Sequence, residues 1–402
     1  MTDIVESAEV STLLAELTRM TGRTDPYPRY RRLREISPLV RADDGAIVAT
    51  RHADCVAVTR HPKLGHMPSH MFDFVLPGWS EHPALHQLFT SILNLNPPDH
   101  TRLRRLVSSS FTARRVQALR PRIERMVEDL LDAMAGETDF IPAFAFPLPV
   151  GVIGELLGVP EPDRAQFQQL TRDWSQVLEV IDEDVLATAD PAARQIRDYL
   201  AGLVAERRRE PADDLLSALV VAGEDGDKLT EDELLTMAGL LFMAGFETTT
   251  NLLANSLVAL LHNPAQLARL RDRPEIAADA VEELLRYDSP VQLISRVAWE
   301  DVEVAGVPIA GGERIVAYLG AGNRDPQRFA DPDRLDLTRP DNAPLSFGGG
   351  IHFCLGAPLA RLEAEIALPA LVRRLPGLTL AGEPVRRDSL TLRGWTSLPI
   401  KS

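Results

Sequence analysis

Residues 231–262 carry apolar side chains at helical spacing on almost every face, and 234–261 is the stretch closest to a membrane span. Glu247 interrupts it at the centre, with Thr248, Thr249, Thr250 and Asn251 directly behind. A polar block of that size is costly in hydrocarbon, so the segment is expected as a helix buried inside a folded protein. Helical periodicity also marks residues 116–134, 196–208, 275–287 and 359–375. Strand-like runs are short: 39–50, turning around Asp43, Asp44 and Gly45; 302–308; and 314–319 after the Gly311-Gly312 turn. The fold class that follows is mainly α with small β-sheets.

With 45% hydrophobic and 25% charged residues, a large core is within reach. No Gly/Ser-rich or long charged linker divides the chain, which is expected to form a single domain over residues 1–402. The 58 acidic and 43 basic residues leave a net charge of -15, which repels phosphates and argues against nucleic acid; solubility is the plainer consequence. Cys55 and Cys354 are the only cysteines, too few for a disulfide scaffold, and a reducing cytoplasm suits them. Residues 1–20 hold Asp3, Glu6, Glu9 and Glu16 and show neither the basic start nor the apolar core of a secretory leader. A cytoplasmic monomer without a membrane anchor is the expectation.

Two stretches are less regular. Residues 65–96 interleave Met67, Met71, Phe72, Phe74, Trp79 and Phe89 with Pro68, Pro77, Gly78 and Pro83, and read either as the lining of a ligand site or as an irregular piece of core. Residues 320–344 are rich in Asp, Pro and Arg and are expected as an ordered loop.

The chemistry concentrates in Phe347-Gly348-Gly349-Gly350-Ile351-His352-Phe353-Cys354-Leu355-Gly356, where a loop meets the 359–375 helix. Glycines let the backbone approach a bulky flat partner, and N–H groups turned toward sulfur favour thiolate over thiol. A zinc site would need more than His352 beside Cys354. A phosphate loop would end in Gly-Lys-Ser/Thr, which is absent. A catalytic Cys-His pair two residues apart is awkward, since such partners are brought together by the fold. A glycine-rich turn around a buried cysteine is the bland alternative.

Pro97-Pro98-Asp99 opens a helix on which His100 and Arg104 share a face, while Arg102 and Arg105 read as solvated. Glu283 and Arg286, three apart, can pair on one helix, as surface residues commonly do. Ala244-Gly245-Phe246-Glu247-Thr248-Thr249 puts a glycine and a carboxylate in mid-helix, costly positions unless function requires them or Glu247 faces solvent.

The loop pattern Phe-Gly-x-Gly-x-His-x-Cys-x-Gly, complete in Phe347, Gly348, Gly350, His352, Cys354 and Gly356, resembles the haem-binding signature of the cytochrome P450 monooxygenases. The other groupings follow in that family's order. The resemblance implies a cytochrome P450 fold, with haem b (iron protoporphyrin IX) held between a long distal helix and a Cys-bearing proximal loop. Cys354 would ligate the iron, with Phe347, Gly348, Gly356 and Ala244 against the haem. His100, Arg104, Arg296 and His352 would take the two propionates, for which arginine is well suited. Glu283 and Arg286 look like the Glu-x-x-Arg pair that locks onto an arginine before the cysteine loop, a role for which Arg334 in Pro332-Asp333-Arg334-Leu335 offers itself. Residues 244–249 are similar to the distal-helix motif, where small residues open a groove for dioxygen and Glu247 and Thr248 would form the catalytic proton relay.

The implied activity is insertion of one oxygen atom from O2 into a C–H bond or alkene of a small apolar molecule. From the family pattern the pocket is expected from residues 72–95, 177–181, 240–244, 291–294 and 395–397, with Phe74, Leu93, Leu240, Met243, Ala244, Val291, Leu293, Ile294 and Thr396 facing substrate. The sequence shows no flavin or nicotinamide fingerprint and no cysteine set for an iron-sulfur cluster, so electrons must come from separate proteins. By resemblance to soluble bacterial members these are a ferredoxin and its NAD(P)H-dependent reductase. Wording such as His100-Thr101-Arg102-Leu103-Arg104 looks like actinobacterial enzymes that decorate antibiotics, macrolides and other polyketides above all, with terpenoid, steroid and peptide substrates as the alternatives. A peroxide-driven peroxygenase and a haem-binding protein without turnover are the competing readings; the acid-threonine pair speaks against both.

Overall fold

The computed structural model describes residues 4–134, 136–179, 181–224 and 227–401; Asp3 and Val180, which figure in the expectations above, lie outside them. The helices that build the site are α1 (His52–Arg60), α2 (Pro83–Phe89), α3 (Asp99–Ser110), α4 (Pro147–Leu157), α5 (Glu231–Leu261), α6 (Ala277–Tyr287) and α7 (Ala357–Arg374). The apolar segment becomes α5, a single helix of 31 residues that spans about 46 Å at about 1.5 Å per residue. Its start is set by Thr230 and Glu233, which form a reciprocal capping box, and by Glu231, Asp232 and Glu233 against the positive end of the helix. From Leu234 to Leu260 it is buried on nearly all sides, with α4, α6 and α7 packed against it. Burying a leucine of this kind stabilises the fold by roughly 1.5–3 kcal/mol, so α5 is the axis of the largest core.

A five-stranded sheet lies apart from that core: β1 (Leu39–Arg41), β2 (Ile47–Ala49), β3 (Leu64–Gly65), β4 (Ile294–Ala298) and β5 (Arg314–Ala317), in the order β1-β2-β5-β4-β3. β5 runs parallel to β2 and antiparallel to β4, with Ile315 opposite Arg296. Leu39, Ile47, Ala49, Ile315 and Ala317 pack with Cys55 of α1 in a second core. Burial pushes the Cys55 thiol up, which makes it an inert packing residue.

The short strands stand where the alternating patterns place them, including the hairpin Val302–Val304 with Val307–Ile309. Four boundaries differ. The 116–134 pattern breaks at Leu119 into Ala113–Ala118 and Arg120–Ala133, where Pro121 occupies the first turn of the second helix. The 196–208 pattern is the end of a much longer helix, Glu183–Arg209, that carries Pro191 inside it. Residues 65–96 hold two α-helices, Ser69–Val75 and α2, because Pro68 and Pro83 sit at helix starts and Pro77 lies between the helices. Residues 320–344 are irregular except for the one-turn helix Leu319–Gly322 that overlaps their start.

Candidate active site

A cavity of about 550 Å³ separates the middle of α5 from the cysteine loop. From α5 it is lined by Leu240, Leu241, Ala244, Gly245, Thr248, Thr249 and Leu252, positions that recur at the helical repeat and define one stripe. Gly245 has a packing reason in mid-helix: a Cβ there would stand 3.1 Å from the Ile153 side chain of α4. Thr248 donates its hydroxyl to the Ala244 carbonyl at 3.1 Å, and Thr249 makes the equivalent bond to Gly245 at 3.2 Å. Both hydroxyls are thus held against the helix wall beside the cavity.

The opposite wall is the cysteine loop. Gly350 takes φ +63°, and a Cβ on it would lie 2.5 Å from the Thr59 carbonyl of α1, so the loop can pass α1 only with glycine there. The Cys354 N–H closes the loop onto the Phe347 carbonyl at 3.0 Å. Cys354 is exposed where it meets the cavity, while the protein packed around it pushes its thiol up. The backbone N–H groups of Gly356 and Ala357, together with Arg104 and Arg361, work the other way and favour the thiolate. Arg361 also stacks over the Phe347 ring at 4.4 Å.

Behind the loop, Glu283 and Arg286 of α6 are both fully buried and form a two-pronged pair at 2.7 and 2.9 Å. Glu283 further accepts from the Arg339 Nε at 3.1 Å, Asn342 Nδ2 at 3.1 Å and the Asp336 backbone N–H at 2.8 Å. Arg286 donates to the carbonyls of Asn323 at 2.9 Å and Pro332 at 2.7 Å. Ser346, just ahead of the loop, donates to the Leu285 carbonyl at 2.8 Å. These bonds bolt the irregular 323–346 segment to α6, and with it the start of the cysteine loop.

One end of the cavity is basic. Arg296 shares a face of β4 with Ile294, two residues apart, and both line the cavity. It is 5% exposed, donates from Nη1 to the Ser295 carbonyl at 2.8 Å and pairs with no acid among the described residues, and burial lowers it to about 10. His352 stands 4.3 Å from His100 and 4.7 Å from His66, ring to ring. Both ring nitrogens of His100 and the Nε2 atoms of His66 and His352 are buried without a hydrogen-bond partner. Burial, then the neighbouring Arg296, lowers His352 to about 3; burial and Arg104 push His100 down. Arg104 completes the group and donates to the Phe353 carbonyl at 2.8 Å. Among the described residues, Glu363 is the only acid on the cavity lining. Buried donors without acceptors are expensive. A flat body bearing two carboxylates at one edge fits this donor set, and iron protoporphyrin IX has that form.

A family model described as cytochrome P450 matches residues 155–276 and 275–389. Cytochrome P450 107B1 of Saccharopolyspora erythraea is 44% identical over 391 residues, covering 94% of this chain and 95% of the relative. The chain belongs to the cytochrome P450 family. This P450 is also 43% identical over 390 residues to the cytochrome P450 monooxygenase PikC of Streptomyces venezuelae, covering 94% of this chain and 91% of PikC. With the 6-deoxyerythronolide B hydroxylase of Saccharopolyspora erythraea it shares 40% identity over 404 residues, 97% of this chain and 99% of that one. Among solved structures, ligand-free CYP164A2 of Mycobacterium smegmatis matches with a TM-score of 0.87 at 41% identity, over 98% of this chain and 100% of that one. The P450 is accordingly a monooxygenase with haem as its cofactor, O2 and a small molecule as substrates, and redox partners as electron source. No helix among its described residues is long and apolar enough to cross a membrane.

Within the P450, Leu93, Leu240, Ala244, Val291, Leu293 and Ile294 line the cavity together with Phe347, Gly348 and Gly356. Five expected residues stand elsewhere. Phe74 is 79% exposed on the short helix Ser69–Val75, whose apolar residues do not all turn inward. Met243 is buried in the core off the lining stripe of α5, because neighbours in a helix lie about 100° apart. Thr396 is exposed, and the C-terminal segment reaches the cavity through Thr391 instead. Glu247, four residues from Met243, also leaves the lining stripe, and its carboxylate pairs with Arg387. Arg334 is 65% exposed and pairs with Asp336 at 3.2 Å; the arginine locked onto Glu283 is Arg339.

Residues absent from the expectations also matter. His66 enters from just ahead of the expected 72–95 segment, and Asn94 from within it without being among the residues expected to face substrate; a lone His or Asn there carries no local signal. Glu363 lies on α7 beside Leu362, 1% exposed with Oε2 unpartnered, and burial pushes its carboxyl well above the usual range. Its signal was an acid on the apolar face of a predicted helix.

Proposed function

We propose that Cys354 is the thiolate ligand of the haem iron, that His100, Arg104, Arg296 and His352 hold the propionates, and that Thr248 holds and passes protons on the dioxygen side. When bound, the haem supplies dioxygen activation, which thiolate ligation assists by pushing electron density onto the iron. The observation that carries the reading is one cavity that has Thr248 and Ala244 on one wall, Cys354 on the other, and Arg104 and Arg296 among buried imidazole nitrogens without partners at its end. Glu247 enters as the acid that Arg387 holds off the cavity wall, and the Glu283, Arg286 and Arg339 cage as the support of the cysteine loop.

The substrate is a neutral, largely apolar molecule of polyketide type, hydroxylated or epoxidised. The distal wall supports this, since beside Leu88, Phe89, Ile92, Leu178, Leu293 and Ile294 its polar points beyond α5 are few, Asn94, Ser295 and Thr391 among them. The name of one relative, the 6-deoxyerythronolide B hydroxylase, favours a macrolide or a related ring. Electrons arrive from a ferredoxin and its NAD(P)H-dependent reductase in the cytoplasm, where the enzyme works as a monomer.

The test has two parts. The reduced, CO-bound protein should show the red-shifted Soret band of thiolate ligation, and Cys354→His should lose it; retention of that band in Cys354→His refutes the ligand assignment. Neutral macrolactones should then shift the resting Soret band and be oxidised with NADPH, ferredoxin and reductase. Turnover with peroxide alone would instead favour a peroxygenase.

A further inference from the structure

His66 is held more tightly than a loop histidine needs to be. It follows β3, and its backbone N–H donates to the Asn96 Oδ1 at 2.9 Å while Asn96 Nδ2 returns a bond to its carbonyl at 2.9 Å. The Trp299 Nε1 donates to the same carbonyl at 3.3 Å. The Trp299 indole also packs so close to Gly65 that a Cβ there would run into it. Backbone and direction are therefore fixed before any ligand arrives.

The fixed imidazole lines the cavity 4.7 Å from His352, with its Nε2 buried and unpartnered. The charged and titratable groups nearest it are Arg296, His352 and His100, with no acid among them. Burial first, then Arg296, lowers it to about 2, so the ring is neutral and has one N–H to give. A neutral imidazole beside a cation gains little from packing alone. It gains from an acceptor that Arg296 attracts to the same place.

We infer that His66 is a further cofactor-binding residue of this P450, donating from Nε2 to a haem carboxylate alongside Arg296 and His352, with Asn96 as its positioning residue. This rests on the propionate reading above. The row of imidazoles then has a shared purpose: each brings a donor to one edge of the haem, and each relieves a nitrogen that otherwise stands buried and unpaired.

The experiment uses the holoprotein and reads haem transfer to excess apomyoglobin. His66→Leu should release haem about tenfold faster than wild type, the scale of one lost hydrogen bond to a charged group. His66→Gln, which keeps a donor, should recover most of the difference, and Asn96→Ala should release haem a few-fold faster. Holoproteins rebuilt with haem whose propionates are methyl esters should show a clearly smaller His66 effect, because the ester carbonyl still accepts a hydrogen bond but the acceptor charge is gone. Equal release by wild type and His66→Leu with natural haem overturns the inference, as does a His66 effect that is undiminished in the ester form. Should His66→Leu not fold, His66→Gln and Asn96→Ala in the two haem forms decide alone. A wild-type protein without the thiolate-type CO band would instead sink the haem-site reading itself.

Discussion

Arg339 and Arg334 differ by five positions and are exchangeable on paper, yet the structure gives them unequal work. The perturbation is Arg339→Leu against Arg334→Leu. Arg339 is 8% exposed, bonds the Glu283 carboxylate at 3.1 and 3.2 Å and donates to the carbonyls of Ala330, Asp331 and Arg334. Its loss removes one charge-assisted contact, at about 1.5–3 kcal/mol, and strands carbonyls near the surface that water can partly satisfy. Glu283 keeps Arg286, Asn342 and the Asp336 N–H, so the full penalty of an unpaired buried charge does not apply. The expected cost is about 2–4 kcal/mol. Arg334 is 65% exposed with one contact to Asp336, worth about 0–1 kcal/mol. For a chain of this length each kcal/mol moves the thermal midpoint by about 1–2 °C. Melting followed at the Soret band should therefore drop by about 2–8 °C for Arg339→Leu and by about 2 °C or less for Arg334→Leu. The Arg339 variant should also lose part of its CO band on storage, since the cage holds the cysteine loop. Equal midpoints, or a larger fall for Arg334→Leu, would refute the reasoning.

Three other outcomes follow from the same geometry. Thr248→Ala should bind substrate and consume NADPH but release more hydrogen peroxide and less product, by about 10²-fold in coupled turnover at the scale of general acid-base effects; full coupling with several substrates lacking a hydroxyl would remove Thr248 from the mechanism. The double variant Arg104→Ala with Arg296→Ala should purify with clearly lower haem content, and full occupancy in a folded double variant would point to other anchors. Asp288 accepts from the Arg393 Nε at 2.6 Å and the Tyr27 hydroxyl at 2.6 Å, and although burial opposes its charge, Arg393 and Arg386 hold it at about 2. That lies below the unfolded value of about 3.9, so its stabilisation is present above about pH 4 and lost as pH falls toward 2. Asp288→Asn should flatten this acid limb and cost about 3–5 kcal/mol at neutral pH, measured by urea unfolding. An unchanged acid limb would show that the carboxylate is not charged there.

Some of this protein is written locally. The capping box at Thr230 and Glu233, the apolar repeat of α5, the Phe347 to Gly356 loop and the Glu283-Arg286 spacing depend on neighbours within a turn or two, so side-chain type and interval are enough to read them. The main helices, the short strands and the glycine-rich cysteine loop were legible for that reason. Which arginine reaches Glu283 was not, because Arg334 and Arg339 sit in a segment without periodicity, and only its fold against α6 decides between them. Glu247 and Met243 show the same limit within a helix: spacing says that they share a stripe, but the packing of α4, α6 and α7 around α5 decides which stripe meets the cavity. His66 and Asn94 meet Thr391 and Arg296 at the site from hundreds of residues away, and Arg296 stands on a strand that its sequence did not announce. Helical and strand periods fix how residues are arranged around one element. The meeting of distant elements is set by the burial of whole faces, and that sum is made only in the folded chain.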